Sequence, residues 1–178
     1  MRVLVIVAHP NLENSRVNSR WVKELKMHQH SRWVTIHNLY KEYPDFRIDV
    51  EREQALLMGH DRIVFQFPLQ WYSTPALLKQ WQDDVLTYGW AYGTHGNKLH
   101  GKELIIAFSA GGSADAYQAN GFNQFTIDEF LRPLQQVAKL TGLKLLPYFR
   151  FHGAFQVNEE QLELSAKYYA QYVVHQSN

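Results

Sequence analysis

The sequence predicts an α/β fold over residues 1–178. It reads as one domain, a three-layer sandwich with a five-stranded parallel sheet in the order 2-1-3-4-5. Three observations predict it. The runs "VLVIVA" (3–8), "IVFQF" (63–67) and "LIIAFS" (104–109) are continuous and apolar, as strands covered on both faces are. Two other runs read as edges: "WVTIHNL" (33–39) alternates apolar and polar, and "LKLLPYFRF" (143–151) contains Pro147, which has no N–H for a ladder. Amphipathic helical stretches separate these runs, and right-handed crossovers then put strands 1, 3 and 4 in the centre.

The elements follow in chain order. "MRVLVIVAHP" has one Arg, a short apolar run and no small-residue cleavage site, so it reads as a buried strand and not a signal peptide. Val17, Trp21, Val22 and Leu25 share one face of a helix that Ser15 can cap. Residues 51–58 form a short helix. Leu77, Leu78, Trp81 and Val85 mark the next, with Pro75 suited to its first turn and Thr74 to its cap. Ile127, Leu131, Leu134, Val137 and Ala138 form a third stripe, closed by Gly142 at C′. The last helix spans about 159–175, with Asn158 and Gln161 in a capping-box arrangement.

Composition removes several function classes. There are no cysteines, which excludes disulfides, thiolate zinc sites and a cysteine nucleophile. A net charge of +1 points to neither nucleic acid nor an anionic membrane surface. No apolar run approaches the roughly 20 residues of a membrane span. No metal site is expected: His28 and His30 stand two apart and would face differently on a helix, and His95 and His100 fall in a loop. Aromatic residues make up 14% of the chain and gather in loops, which suits recognition of something flat.

In an open sheet of this order the ligand sits beyond the carboxyl ends of strands 1, 3 and 4. Three loops therefore matter. The first, "HPNLENSRVN" (9–18), is neither a GxGxxG nor a P-loop. It still offers an anion site, because the N–H groups of Arg16, Val17 and Asn18 open a helix, with His9, Ser15 and Asn18 as side-chain donors and Arg16 as a charge. The second, in "FPLQWYSTPALLKQW" (67–81), leaves Pro68, Leu69, Gln70, Trp71 and Tyr72 at the ligand edge. A proline-bounded aromatic turn suits the edge of a planar heterocycle. The third, "SAGGSADAYQANGF" (109–122), has Gly111 and Gly112, which let the backbone come close and present N–H groups. Tyr117, Phe122 and Asn123 would overhang it. A phosphate pocket, an aromatic bracket and a glycine approach around one point suit a mononucleotide with a large planar ring, and flavin mononucleotide fits best.

The motifs "AHP" with "NSRVN", "LYKEYPDFRID", "PLQWYSTPALLKQW", "GWAYG" and the "GG…Y" loop resemble the flavodoxin-like NAD(P)H:quinone oxidoreductase family over almost the whole chain. Within it, the chain is most similar to the ancillary oxidoreductase subunits of bacterial glutathione-regulated potassium-efflux systems. The resemblance implies noncovalent FMN, with FAD as the alternative, NAD(P)H as co-substrate, two-electron reduction of a quinone or related electrophile, and a homodimer. It implies a cytoplasmic protein, drawn to the inner face of the cell membrane where a potassium-efflux partner holds it. It places the phosphate at His9, Ser15, Arg16, Val17 and Asn18. The ring falls between Leu69, Gln70, Trp71 and Tyr72 on one side and Ser109, Ala110, Gly111 and Gly112 on the other.

One departure matters. The family commonly sets a Tyr and a His over the flavin six residues apart; Tyr117 matches the first, but Asn123 stands at the second. An amide donates a hydrogen bond but shuttles no proton near neutral pH, so His152 or water must serve instead. Two rivals fail on chemistry. A one-electron flavodoxin is usually acidic, with a Thr/Ser/Gly-dense phosphate loop. A phosphoacceptor domain needs carboxylates where Ala8, His9, Phe67 and Pro68 stand. A third, the regulatory binding subunit with little catalysis of its own, remains compatible with the resemblance.

Overall fold

The computed structural model describes residues 1–27 and 33–174; His28 and His30 lie outside them. The chain runs β1 (Val3–Val7), α1 (Arg16–Met27), β2 (Val34–Asn38), α2 (Leu39–Glu42), α3 (Val50–Met58), β3 (Arg62–Pro68), α4 (Ala76–Val85), β4 (Glu103–Ser109), α5 (Ile127–Thr141), β5 (Lys144–Leu145), β6 (Phe149–Phe151) and α6 (Glu159–Val174). The sheet order is β2-β1-β3-β4-β5, with β6 also on β4 and every pair parallel.

The continuous apolar runs are strands buried on both faces. Along β1, Val3, Val5 and Val7 face one cluster, and Leu4 and Ile6 face the other. This is the two-residue period of a strand between two helical layers. The first layer is α1 and α6, where Trp21 stacks on Tyr169 at 4.6 Å and donates from Nε1 to Ser165 Oγ. The second holds α3, α4 and α5, where Trp81 meets Phe65 edge-on at 5.7 Å.

Two elements differ from the sequence expectation. The fifth strand is not one run. β5 pairs Lys144–Leu145 with Glu103–Leu104, and β6 pairs Phe149–Phe151 with Ala107–Ser109. From Leu104 to Ala107 is three steps and from Leu145 to Phe149 is four, so one extra residue bulges out around Pro147. The second strand stops at Asn38, whose side chain caps the short α2 by accepting from the Lys41 N–H.

The helix ends follow their caps. Ser15 Oγ accepts from the Asn18 N–H at 3.1 Å. Thr126 and Glu129 close a capping box on α5, which ends at Gly142 with φ 69°. Asn158 and Gln161 form the reciprocal pair at the start of α6. At α4 the expectation was off by one: Pro75 is the N-cap, Thr74 makes no cap bond, and the helix starts at Ala76.

A buried polar hub ties the second layer to the sheet. Glu53 of α3 is buried, and its Oε1 accepts from Tyr43 Oη at 2.5 Å and from His37 Nε2 at 2.8 Å. Its Oε2 accepts from Trp81 Nε1 at 2.8 Å. Burial pushes the Glu53 carboxyl up, but hydrogen bonds from His37, Tyr43 and Trp81, with the charge of His37, outweigh it and hold its pKa below the ordinary value.

Candidate active site

β1, β3 and β4 end together. β3 and β4 run level to Pro68 and Ser109, and the Leu69 N–H donates to Ser109 O at 2.7 Å. Beyond these ends opens a cavity of about 490 Å³. Its walls are His9, Asn11, Asn14, Ser15, Arg16 and Val17 from the first loop, Pro68, Leu69 and Gln70 from the second, and Ser109 and Gly111 from the third. Ala154 and Phe155, just after β6, complete it.

The first loop is built as a donor site. His9 Nδ1 accepts from the Asn11 N–H at 3.0 Å, which leaves the proton on Nε2. Burial lowers the His9 pKa and favours this neutral donor form. Asn14 Nδ2 holds Asn11 Oδ1 at 3.0 Å. Arg16 and Val17, as first-turn residues, have N–H groups with no partner inside the helix, and both line the cavity. Two residues stand elsewhere than expected. The Arg16 guanidinium pairs with Glu159 at 2.6 Å on the exposed surface. Asn18 is fully buried behind the cavity, its N–H on Ser15 Oγ and its side chain on Ser109 and Gln66. It holds the helix start in place, with one of its two amide N–H groups on Ser109 Oγ.

The second loop is a two-residue hairpin. The Gln70 and Ser73 N–H groups each donate to the other's carbonyl at 2.9 Å. The residues between them, Trp71 and Tyr72, have φ of 47° and 63°. This is the backbone of a type I′ turn, which asparagine and glycine ordinarily occupy. Trp71 is 94% exposed. Tyr72 stacks on Phe130 of α5 at 5.1 Å. A large aromatic held in a left-handed turn, with its face in solvent, is a contact surface for something.

The third loop is joined to the segment after β6. Ala110 N–H donates to Phe151 O at 2.8 Å, Ala154 N–H to Ala110 O at 3.0 Å, and Gly153 N–H to Gly112 O at 2.8 Å. Ala110 is buried. A Cβ on Gly111 would lie 2.2 Å from the Phe155 ring, so a larger residue there would push that exposed ring aside. Phe155 is itself 88% exposed and overhangs the cavity. Sequence reasoning missed Phe155 and Ala154. The signal was present, since "FHGAF" leaves the same edge of the sheet as the three loops that were chosen.

Tyr117 lies against Gly112, whose position is 3.5 Å from the phenol oxygen measured from an added Cβ. Burial raises the Tyr117 phenol pKa, the Gly112 backbone hydrogen bond lowers it, and Tyr72 nearby raises it; the net shift is upward. The His152 ring sits 5.4 Å from that of Tyr117. Its Nδ1 is buried with no hydrogen-bond partner, and burial and the Arg150 charge both lower its pKa. The imidazole is therefore neutral beside the phenol. Tyr117 and His152 line a neighbouring cavity of about 220 Å³ rather than the main one; Asn123 lines neither, and its N–H donates to Ala116 O.

A second cavity of about 480 Å³ lies between α4 and α5, lined by Leu86, Tyr92, Leu131, Leu134, Val137 and Leu140 among others. Lys79, Asp83, Ser73, Thr74, Gln82 and Thr141 also line it, and it does not reach the first loop or the start of α1. Among the described residues no three His, Asp or Glu side chains converge.

Known proteins resemble this chain in sequence and in fold. A family model described as flavodoxin-like fold matches residues 1–173. A Bacillus subtilis (strain 168) protein named as an uncharacterized NAD(P)H oxidoreductase, YrkL, is 53% identical over 97% of this chain and 98% of its own. The glutathione-regulated potassium-efflux system ancillary protein KefF of Klebsiella pneumoniae (strain 342) is 40% identical over 97% of this chain and 94% of its own. Among solved structures, general stress protein 14 of Treponema denticola in complex with FMN superposes with a TM-score of 0.92 at 40% identity, covering 97% and 98% of the two chains. An NADPH-quinone reductase from P. pentosaceus superposes at 0.89 with 37% identity, covering 99% and 100%. The strand order, the cavity at the strand ends and these similarities converge: the chain belongs to the flavodoxin-like NAD(P)H oxidoreductase family.

Proposed function

We propose that the chain is an FMN-dependent NAD(P)H:quinone oxidoreductase. One observation carries the reading: an anion-binding helix start and a glycine approach open on the same cavity. The residues fit the cofactor. His9 Nε2–H, Ser15 and the first-turn N–H groups of Arg16 and Val17 would hold its phosphate. Leu69, Gln70 and the backbone at Gly111 and Gly112 would border its ring, with Trp71 and Tyr72 beside it. Similarity to the FMN complex of general stress protein 14 supports this, and FAD is the alternative flavin. When bound, FMN supplies two-electron hydride chemistry between NAD(P)H and a quinone or related electrophile.

The chain's own groups then orient and stabilise. N–H groups at Gly111 and Gly112 would stabilise negative charge on a bound ring, as an oxyanion hole does. Tyr117 donates its phenol proton toward an acceptor oxygen. Its raised pKa keeps it protonated at neutral pH. Neutral His152, and not Asn123, is the group beside it able to exchange a proton. One open face serves both substrates in turn, so the kinetics are ping-pong. Tyr117→Phe is expected to slow quinone reduction about tenfold or more, the scale of a lost acid, while FMN affinity changes less than threefold. Initial-rate kinetics beside a flavin titration check this; equal losses in both would reject the role.

We also propose a homodimer, with the α4–α5 cavity and the exposed Tyr72 and Trp71 as the face available to a second copy. Sedimentation at working concentration tests it, and a monomer contradicts it. Similarity to KefF favours a second reading, an ancillary regulator of a potassium-efflux protein. That reading places the chain in the cytoplasm, held at the membrane through the partner; among the described residues no helix is long and apolar enough to cross a membrane. Co-purification with such a transporter, and a change in ion flux on adding the chain, would support it.

A further inference from the structure

β6 sends its side chains to both sides of the sheet. Phe149 and Phe151 pack with the α1–α6 layer. The strand period of two then turns Arg150 and His152 toward α5, where His152 meets Phe108 edge-on at 6.3 Å. Both line the side cavity of about 220 Å³, with Tyr117 and Gln118 of the third loop and Asp128 in the first turn of α5. The Tyr117 phenol links this cavity to the larger one: it lies against Gly112, and the adjacent Gly111 lines the strand-end cavity.

The charges in the side cavity do not cancel. The Asp128 carboxylate accepts from the Tyr148 phenol, and that phenol oxygen in turn accepts from Gln135 Nε2 at 2.6 Å. Burial keeps His152 neutral, and its Nδ1 has no partner. Arg150 is exposed, and its guanidinium makes no ion pair or hydrogen bond among the described residues. A guanidinium with all its donors unspent at a cavity wall suits a carboxylate, which it can hold through two parallel bonds.

The place of Tyr117 says what would bring such a group there. Its phenol is proposed to hydrogen-bond the oxygen of the electron acceptor. Tyr117 lines the side cavity, so a substituent on that acceptor extends toward Arg150. We infer that the side cavity is an acceptor subsite, in which Arg150 selects quinones and related electrophiles that carry a carboxylate. This rests on the proposed quinone reduction and narrows its substrate class by charge.

A naphthoquinone with a propionate side chain and its methyl ester test it, since the two share the reacting ring and differ in charge. The FMN-loaded wild type is expected to favour the acid about fivefold in kcat/KM, through KM, the scale of an ion pair still open to solvent. High salt should narrow the preference. Arg150→Met is expected to bring the acid-to-ester ratio near one and Arg150→Glu to invert it, with Tm and FMN affinity checked on the same samples. A Met variant that keeps the wild-type ratio would overturn the inference. Stopped-flow reduction by NADH and by NADPH separates the other source of an anion: if Arg150→Met slows only reduction by NADPH, the guanidinium holds a nucleotide phosphate and the acceptor subsite falls. A wild type that reduces both quinones equally well removes the subsite alone. One that takes no flavin, or reduces neither quinone, removes it together with the proposed function.

Discussion

Replacing Trp71–Tyr72 with Asn–Gly is expected to give a more stable protein that binds its cofactor worse. Both residues sit at positive φ in a two-residue hairpin. A left-handed conformation costs an L-residue roughly 1–2 kcal/mol, and Asn–Gly is the pair that suits this turn. Losing the Tyr72–Phe130 stack costs about 0.5–1.5 kcal/mol, so the net gain is about 1 kcal/mol, or 2–4 °C in Tm for a chain of this size. FMN affinity is expected to fall about 30-fold, since an aromatic stacking contact with a flat ring is worth on the order of 1–3 kcal/mol. Thermal melting and flavin titration on the same samples read both. A variant that melts lower and binds FMN unchanged would show that the strain serves packing and not the ligand.

The second large effect is at Glu53. Glu53→Ala is expected to destabilise the fold by about 4 kcal/mol, because it leaves buried donors on Tyr43, His37 and Trp81 without an acceptor and opens a cavity. The hub also sets a pH dependence. The Glu53 pKa is lowered in the folded chain, so its contribution is complete above the ordinary glutamate pKa of about 4.5 and is lost as pH falls through the folded value. Glu42, on the exposed Arg52 pair, is lowered too, but exposed pairs contribute little. Denaturant melts from pH 7 to pH 3 should show the wild type losing stability on acidification and Glu53→Gln losing less of it. Parallel curves for the two would remove Glu53 from the acid response.

Much of this was legible in the sequence, for a physical reason. Strands sealed on both faces are apolar at most positions, so β1, β3 and β4 announce themselves despite the buried Gln66 and Arg62 of β3, and helices that cover them carry a single stripe. The fifth strand was legible only as an edge, because Pro147 interrupts it through a one-residue bulge that periodicity does not reveal. The site loops were found because the topology names the strand ends. Phe155 was missed because its place over Gly111 depends on the backbone pairing of two loops more than 40 residues apart in sequence. Asn18 reads in the sequence as a side-chain donor of the anion site; its burial depends on Gln66 and Ser109, on two different strands. The Glu53 hub was invisible for the same cause. His37, Tyr43, Glu53 and Trp81 come from separate elements, and each alone passes for an ordinary polar or aromatic position.

The most direct test of the central claim is titration of the purified, flavin-stripped chain with FMN, followed by fluorescence and by absorbance in the flavin bands. One FMN per chain should bind saturably, its emission quenched, and binding should weaken when an alanine is placed at Gly111, where a Cβ would displace the Phe155 ring that overhangs the cavity. A chain that stays colourless and leaves the emission of FMN and FAD unchanged would contradict the account, and the assignment of redox chemistry would fall with it.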